Sequence, residues 1–391
     1  MLTGRRRNVP ISLMCLINSL GCGGAETWLY RLLSRLDRTR FRCQVVALID
    51  VVDPVIGEKI KTLGIPVRSL GMRPGRPNPM ALLRLVRWLR QDPPDVIQTW
   101  QYYSDLVGGL AARIAGGIPV AWGIHHSDLN GEGINRLAIL TARTCARLSR
   151  WLPDRIVCCA EASRHVHSAL GYAAEKMVVI PYGYDLDAFR PDPVARESVR
   201  KELHIPEDAP VIGLVGRFHP IKGHHNFVRA ASLLHQDRPD VHFVLCGFGV
   251  SWENKELTTL IEEAGIRKRC CLLGLRDDIP RLTAAFDIAA LSSSGEAFPN
   301  VVSEAMSCGV PCVVTDVGDA AYIVGQTGLV VPPRNSAALA EAWRNMLALG
   351  PEGRAPLGMA ARRRITELFN LPEIVARYQN LFEQLARGVR T

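Results

Sequence analysis

No unbroken apolar stretch in this chain of 391 residues reaches the roughly 18 that a helix needs to cross a bilayer. Nor is there the glycine, proline or charge bias of a collagenous, fibrous or disordered chain: apolar residues are 48% and charged residues 22%. The basic residues form no long cluster, and no zinc-finger or RNP pattern appears, so a nucleic-acid partner is not expected. The cysteines lack a framework. There are 11, an odd number, and Cys158-Cys159 and Cys270-Cys271 are adjacent rather than spaced for zinc. Cys15, Cys43, Cys246 and Cys312 sit in apolar runs and read as reduced, buried thiols of a cytoplasmic protein. The glycines Gly21, Gly23 and Gly24 miss the G-x-G-x-x-G spacing of a dinucleotide fingerprint. His219, His224 and His225 have no carboxylate pattern to complete a metal site, so no metal is expected.

What is present is a net charge of +9, which fits an anionic partner without choosing one. Arg5, Arg6 and Arg7 precede the run Pro10 to Leu20, which resembles a signal peptide, and Cys22 invites a lipoprotein reading. However, Ser12, Asn18 and Ser19 interrupt the run. It flows into Gly23-Gly24-Ala25-Glu26, which favours a first buried strand meeting a phosphate-type turn.

Short apolar runs alternate with helical segments. Val9–Ile17, Cys43–Ile49, Asp95–Gln98, Val120–Ile124, Arg155–Cys159 and Met177–Ile180 read as strands, with helices between them. Segment 70–80, rich in Gly, Pro, Arg and Asn, reads as a mobile loop. Phe189-Arg190-Pro191-Asp192-Pro193 fits no regular element, and after it the alternation restarts at Val211–Val215. The fold class is therefore α/β with mostly parallel sheets in two Rossmann-like domains, over 1–190 and 191–370, followed by a helix over 371–391 that packs back on the first domain. Ligands of such sheets sit beyond the carboxyl ends of the strands, so an inter-domain cleft is the expected site.

Three clusters fall at strand ends. Gly216-Arg217-Phe218-His219-Pro220-Ile221-Lys222-Gly223 puts two cations where they can grip a diphosphate and stabilise charge as it leaves. Glu296-Ala297-Phe298-Pro299-Asn300-Val301-Val302-Ser303-Glu304 puts a helix start between two carboxylates. The free backbone N–H groups near Phe298-Pro299-Asn300-Val301, of which Pro299 itself supplies none, would face a phosphate. Glu296 could reach sugar hydroxyls and Glu304 a ribose. Trp122-Gly123-Ile124-His125-His126-Ser127-Asp128 closes a first-domain strand. His126 is preferred to His125 as the imidazole near the transferred sugar, with Asp128 orienting it. Gly24 lines the cleft. Glu26 and Asp105 are weaker candidates for acceptor hydroxyls, and Trp100, Tyr102 and Tyr103 read as packing.

These residues resemble family 4 of the retaining glycosyltransferases, whose fold is GT-B. The likeness spans nearly the whole chain and is strongest from Glu296 through Pro311. It implies that Arg217 and Lys222 contact the donor diphosphate, Glu304 the ribose, Glu296 and His126 the sugar, and Leu275 and Arg276 the base through backbone groups. It implies catalytic roles for His126, Arg217, Lys222 and Glu296. It implies no metal and no cofactor, only a nucleoside diphosphate sugar donor, UDP- or GDP-linked. The acceptor would be a glycan or lipid-linked sugar in polysaccharide biosynthesis. Three departures stand out, one of them Ser293-Ser294 where Pro-Ser is more common before the first glutamate. Tyr182 and Tyr184 replace an Asn and an aliphatic residue in Pro181-Tyr182-Gly183-Tyr184-Asp185, and Ala297 stands where glycine is common. A nucleotide-sugar epimerase and a non-catalytic binding protein of the same fold are the alternatives. The basic segment 136–155 is expected to touch an anionic membrane, at the inner face of the cell membrane.

Overall fold

The computed structural model describes residues 9–21, 23–50, 55–73, 78–127 and 136–388. The basic amino-terminal run, Cys22 and Asp128 lie outside the described residues. The chain forms two compact units. One runs to Gly183 and takes in Pro372 onward; the other is Tyr184–Leu371.

The first unit holds a seven-stranded parallel sheet. Its strands are β1 (Ile11–Ile17), β2 (Phe41–Ile49), β3 (Val67–Met72), β4 (Val96–Trp100), β5 (Val120–Ile124), β6 (Arg155–Cys158) and β7 (Met177–Val179), in the order β3-β2-β1-β4-β5-β6-β7. Every residue of β4 and β5 is buried. Parallel strands covered by helices on both faces need unbroken apolar runs, which is why these segments do not alternate. The expected loop over 70–80 is shorter than its composition implies. Residues 70–72 finish β3, and Asn78 caps a helix Pro79–Gln91 by accepting from Met80 N at 3.0 Å. Residues 74–77 lie outside the described residues.

The second unit repeats the plan with six parallel strands. They are β8 (Val211–Val215), β9 (His242–Cys246), β10 (Cys270–Leu272), β11 (Ile288–Leu291), β12 (Cys312–Thr315) and β13 (Leu329–Val331), ordered β10-β9-β8-β11-β12-β13. Its core gathers Phe227, Phe243 and Trp343 with the aliphatic strand residues.

One boundary and one helix differ from the sequence reading. Tyr184 to Arg190 belong with the second unit. Tyr184 N donates to Phe369 O at 2.9 Å and Leu371 N to Tyr184 O at 3.2 Å. Arg362 also caps the carbonyls of Leu186 and Phe189 at 3.0 and 2.9 Å. The second difference is a helix over Gly350–Leu368 that the sequence pattern hid behind Gly353, Pro356 and Gly358.

The last helix, Leu371–Ala386, packs on the first unit from Pro372 onward. Tyr378 lies 5.9 Å from Trp28, and Phe382 meets Phe41 edge-on at 6.2 Å. Gln379 Oε1 accepts from Asp37 N at 2.9 Å, and Arg40 pairs with Glu383.

Among the described residues no helix is long and apolar enough to cross a membrane. Nine of the described cysteines are buried, Cys271 is half-buried, and none is in a disulfide.

Candidate functional site

In the second unit, two post-strand turns are stitched into one surface. β8 ends at Val215, and beyond Gly216 the chain makes a short turn through Pro220–Lys222 before Gly223 opens the helix His224–His235. Gly223 has φ +67°, and a Cβ there would sit 2.0 Å from the Ser292 carbonyl oxygen. Only glycine fits, because the turn after β8 lies directly on the turn after β11. Ser294 N donates to Ile221 O at 2.8 Å, and Ser292 Oγ to Lys222 O at 2.9 Å.

This stitching brings Lys222 onto Glu296. The Lys222 ammonium donates to Glu296 Oε1 at 2.6 Å, and Ser293 Oγ donates to the same oxygen at 2.7 Å. The two side chains are 27% and 13% exposed, so solvent screens the pair only in part. Glu296 is also braced from below. Gly318, at φ +54°, packs its Cα against the carbonyls of Glu296 and Ala297, where a Cβ would approach to 2.3 and 2.4 Å. Asp319 N donates to Ala297 O at 2.9 Å.

Arg217 differs from Lys222. It is exposed and has no ion pair among the described residues. The neighbouring His219 imidazole is held below its ordinary pKa, first by partial burial and then by the positive charges of Arg217 and Lys222. Both cations thus act on one small region.

Pro299 caps the helix Asn300–Ser307. Glu304 lies one turn inside it and is 8% exposed. The hydroxyl of Tyr184, itself fully buried, donates to Asn300 Oδ1 at 2.7 Å. This residue, which departs from the family pattern, therefore anchors the first residue of the helix. The sequence reading gave it no such task; its signal was the unusual Tyr in the Pro181-to-Asp185 motif. Leu275 projects into solvent after β10, following Gly274. The Arg276 side chain is held by Asp278 at two 2.7 Å bonds and by Glu202 at 2.6 Å, so its guanidinium is anchored to protein carboxylates.

In the first unit the histidines separate clearly. His125 is buried, stacked on Trp100 at 4.8 Å, and bonded through Nδ1 to the Tyr182 hydroxyl at 2.8 Å. Burial, reinforced by His126, pushes its pKa down to about 3, so it is a neutral structural imidazole. Tyr182 stacks in turn on Trp28 at 5.5 Å. His126 is exposed, with its ring 5.6 Å from that of Tyr102. Its proposed partner Asp128 lies outside the described residues.

Asp105 is corrected. It is fully buried, with Oδ1 accepting from Thr99 Oγ1 at 2.5 Å and Gly123 N at 3.2 Å, so no acceptor can reach it. Burial raises its pKa to about 8. Trp100 and Tyr102 are buried, as packing residues should be, and the Tyr102 hydroxyl bonds His167 Nε2 at 2.6 Å. Gly24 is the first residue of the helix Gly24–Arg35, and Glu26 sits in its first turn. Of His219, His224 and His225, His224 is buried against Phe218, and His225 pairs with Glu256 at 3.2 Å. Among the described residues no group of three His, Cys, Asp or Glu side chains is placed to hold a metal ion.

Both units of the chain are similar to known proteins. Residues 22–188 match the model described as Glycosyltransferase Family 4, and residues 209–348 match that of Glycosyl transferases group 1. The chain is 28% identical to UDP-Gal:alpha-D-GlcNAc-diphosphoundecaprenol alpha-1,3-galactosyltransferase of Escherichia coli, over 61% of this chain and 62% of that enzyme. It is also 28% identical to the putative glycosyltransferase EpsF of Bacillus subtilis, over 77% of this chain and 78% of the relative. The crystal structure of Anabaena HepE in complex with UDP superposes with a TM-score of 0.84 at 26% identity, covering 96% of this chain and 100% of that one. A further crystal of the same protein holds UDP-glucose. The two parallel sheets, their charged strand ends and these likenesses together make the chain a glycosyltransferase of GT-B fold, related to family 4 and to the group 1 glycosyltransferases.

Proposed function

We propose that the chain is a retaining glycosyltransferase. It moves a sugar from a nucleoside diphosphate sugar, UDP- or GDP-linked, to a hydroxyl of a glycan or lipid-linked acceptor. The observation that carries this reading is the convergence of Arg217, the Lys222–Glu296 pair and the mouth of the helix Asn300–Ser307 at one end of one sheet. A cation pair beside helix-start amides is a site for a diphosphate. Buried or half-buried carboxylates on either side of it accept hydrogen bonds from the hydroxyls of a ribose and a sugar.

In this reading Arg217 and Lys222 hold the diphosphate, with the backbone of Phe298 to Val301. As the bond from the anomeric carbon to the leaving oxygen breaks, negative charge grows on the diphosphate. Arg217, Lys222 and the amides stabilise that charge in the transition state more than in the bound donor. The acceptor hydroxyl attacks from the face the diphosphate leaves, and a phosphate oxygen takes its proton, which retains the anomeric configuration. Glu304 binds the ribose. Glu296 is held taut by Lys222 and Ser293 and meets the sugar. His126 hydrogen-bonds the sugar from the first unit, Gly24 approaches it, and the backbone at Leu275-Arg276 receives the base. UDP is the first nucleotide to try, given the likeness to HepE, and a lipid-linked acceptor is supported by the likeness to the Escherichia coli enzyme. The protein works in the cytoplasm on a surface polysaccharide and touches an anionic membrane peripherally.

Thermal shift against UDP-, GDP- and ADP-sugars identifies the donor. Incubation of that donor with an acceptor, followed by NMR of the product's anomeric proton, gives the stereochemistry. An inverted product removes the retaining mechanism. Quantitative conversion of the donor alone into another nucleotide sugar replaces the transferase with an epimerase.

A further inference from the structure

At the amino ends of β5, β6 and β7, opposite the strand ends that carry His126, the first unit has a cavity of about 550 Å³. Arg113, Arg150, Trp151 and Lys176 are among the residues that line it. Arg113 and Arg150 are exposed, and neither guanidinium has a partner among the described residues. The turn that presents Arg150 and Trp151 is rigid. Lys176 Nζ donates to the carbonyls of Ser149, Arg150 and Pro153 at 3.2, 2.7 and 2.7 Å. Ser149 Oγ bonds Ala146 O at 2.7 Å and accepts from Ala173 N at 2.9 Å. This fixed turn nevertheless leaves the Trp151 indole 67% exposed. Of the two acidic lining residues, Asp154 is engaged by Val120 N at 2.9 Å, and Glu175 is exposed.

The surface leading to this cavity has a sign. The helix Arg136–Leu148 contains no acidic residue. Arg136, Leu140, Arg143 and Arg147 are exposed at helical spacing along one stripe, which runs into Arg150 and Trp151. An acid-free row of guanidinium groups with an aliphatic side chain and a projecting indole suits the interface of an anionic bilayer. Arginines there meet phosphates, and indoles settle at headgroup depth.

We infer that this cavity receives the phosphate headgroup of an anionic membrane lipid, with Arg113 and Arg150 gripping the phosphate and Trp151 resting among the headgroups. The inference rests on the peripheral membrane contact proposed above and assigns it a site. Two guanidinium groups can grip one phosphate from two sides, and the cavity has room for the glycerol that bears it.

The test is flotation of the full chain with vesicles of phosphatidylcholine alone or with one third phosphatidylglycerol. The wild type should float only with the anionic vesicles, and the emission of Trp151, isolated by comparison with Trp151→Phe, should shift to the blue. Arg113→Gln with Arg150→Gln should weaken partition by more than the roughly 30-fold expected for two diffuse surface charges. Arg143→Gln with Arg147→Gln should stay within that figure. All four side chains are exposed, so unfolding midpoints should not move. If the wild type ignores anionic vesicles, membrane contact itself is refuted. If it floats but the two double variants behave alike, the contact stands and the headgroup site falls. Soluble glycerol phosphate should compete with the vesicles. If it binds while vesicles do not, the ligand is a free phosphate compound and the lipid assignment is overturned.

Discussion

The two sheets of this chain share a strand order, yet their carboxyl ends are finished in opposite ways. In the second unit, charged side chains are braced by backbone and left facing outward. Lys222, Glu296 and Ser293 are tied to each other, and Arg217 stands beside them with no ion pair among the described residues. In the first unit the corresponding ends are packed closed, apart from the exposed His126 after β5. Trp100, His125, Tyr182, Trp28 and Tyr378 form a continuous run of packed rings, and Asp105 is closed in by Thr99 and Gly123. The lesson is that one end is prepared to stabilise charge in a ligand and the other to hold a backbone in place.

If that contrast is right, the largest effect should come from Arg217→Ala. Loss of one charge-stabilising donor costs about 2.7–4 kcal/mol in the transition state, or roughly 100- to 1000-fold in kcat, while an exposed substitution moves stability by no more than about 0.5 kcal/mol. Steady-state kinetics and a melting curve on the same sample check both halves.

Next in size is Gly223→Ala. A methyl group 2.0 Å from the Ser292 oxygen, at positive φ, must push the two turns apart. A stability loss of about 1–3 kcal/mol is expected, measured by urea unfolding, with donor binding lost in parallel.

The sealed end should announce itself in the pH dependence of stability. Asp105 has a folded pKa near 8, above its unfolded value, so the folded state holds a proton that the unfolded state releases. Its contribution to stability is therefore full below about pH 4 and lost as pH rises toward 8. His125, held near 3, and His167, held near 4, work in the other direction. They are neutral when folded and protonated when unfolded, so stability falls as pH drops from about 6.5 toward 4. Each proton contributes a slope of at most about 1.4 kcal/mol per pH unit. Asp105→Asn should abolish the decline on the rise toward pH 8 and keep the acid one. An unchanged decline toward pH 8 in urea titrations would remove Asp105 from this account.

The smallest effect distinguishes the two tyrosines. Tyr182→Phe and Tyr184→Phe each remove one buried hydrogen bond and should cost about 1 kcal/mol of stability. Only Tyr184→Phe loosens the first residue of the helix that begins at Asn300, so it alone should raise the KM for the donor.

Much of this was legible in the sequence. Unbroken apolar runs located most of the strands, because strands buried on both faces cannot hide their composition. Arg217, Lys222 and Glu296 announced themselves by falling after such runs, and Glu304 by its spacing from Glu296. What the sequence did not reveal depends on partners remote in the chain. Gly353, Pro356 and Gly358 obscured a helix whose Gly358 packs against the Gly309 carbonyl. Val67–Met72 and Pro79–Gln91 were lost beside a glycine- and proline-rich stretch. The boundary moved to Tyr184 because its bonds run to Phe369, Leu371 and Asn300, which no local pattern encodes. Lys222 and Glu296, read as separate contacts, turned out to hold each other across 74 positions.

The bond from Asp37 to Gln379 joins positions 342 apart, within a single unit. The second unit is thus, in sequence, an insertion within the first. During synthesis the inserted unit can complete its fold while Trp28 and Phe41 still await the rings of Tyr378 and Phe382. A nascent chain stalled near residue 370 would carry one finished body and one with an open apolar flank, and that flank is where chaperones would be needed.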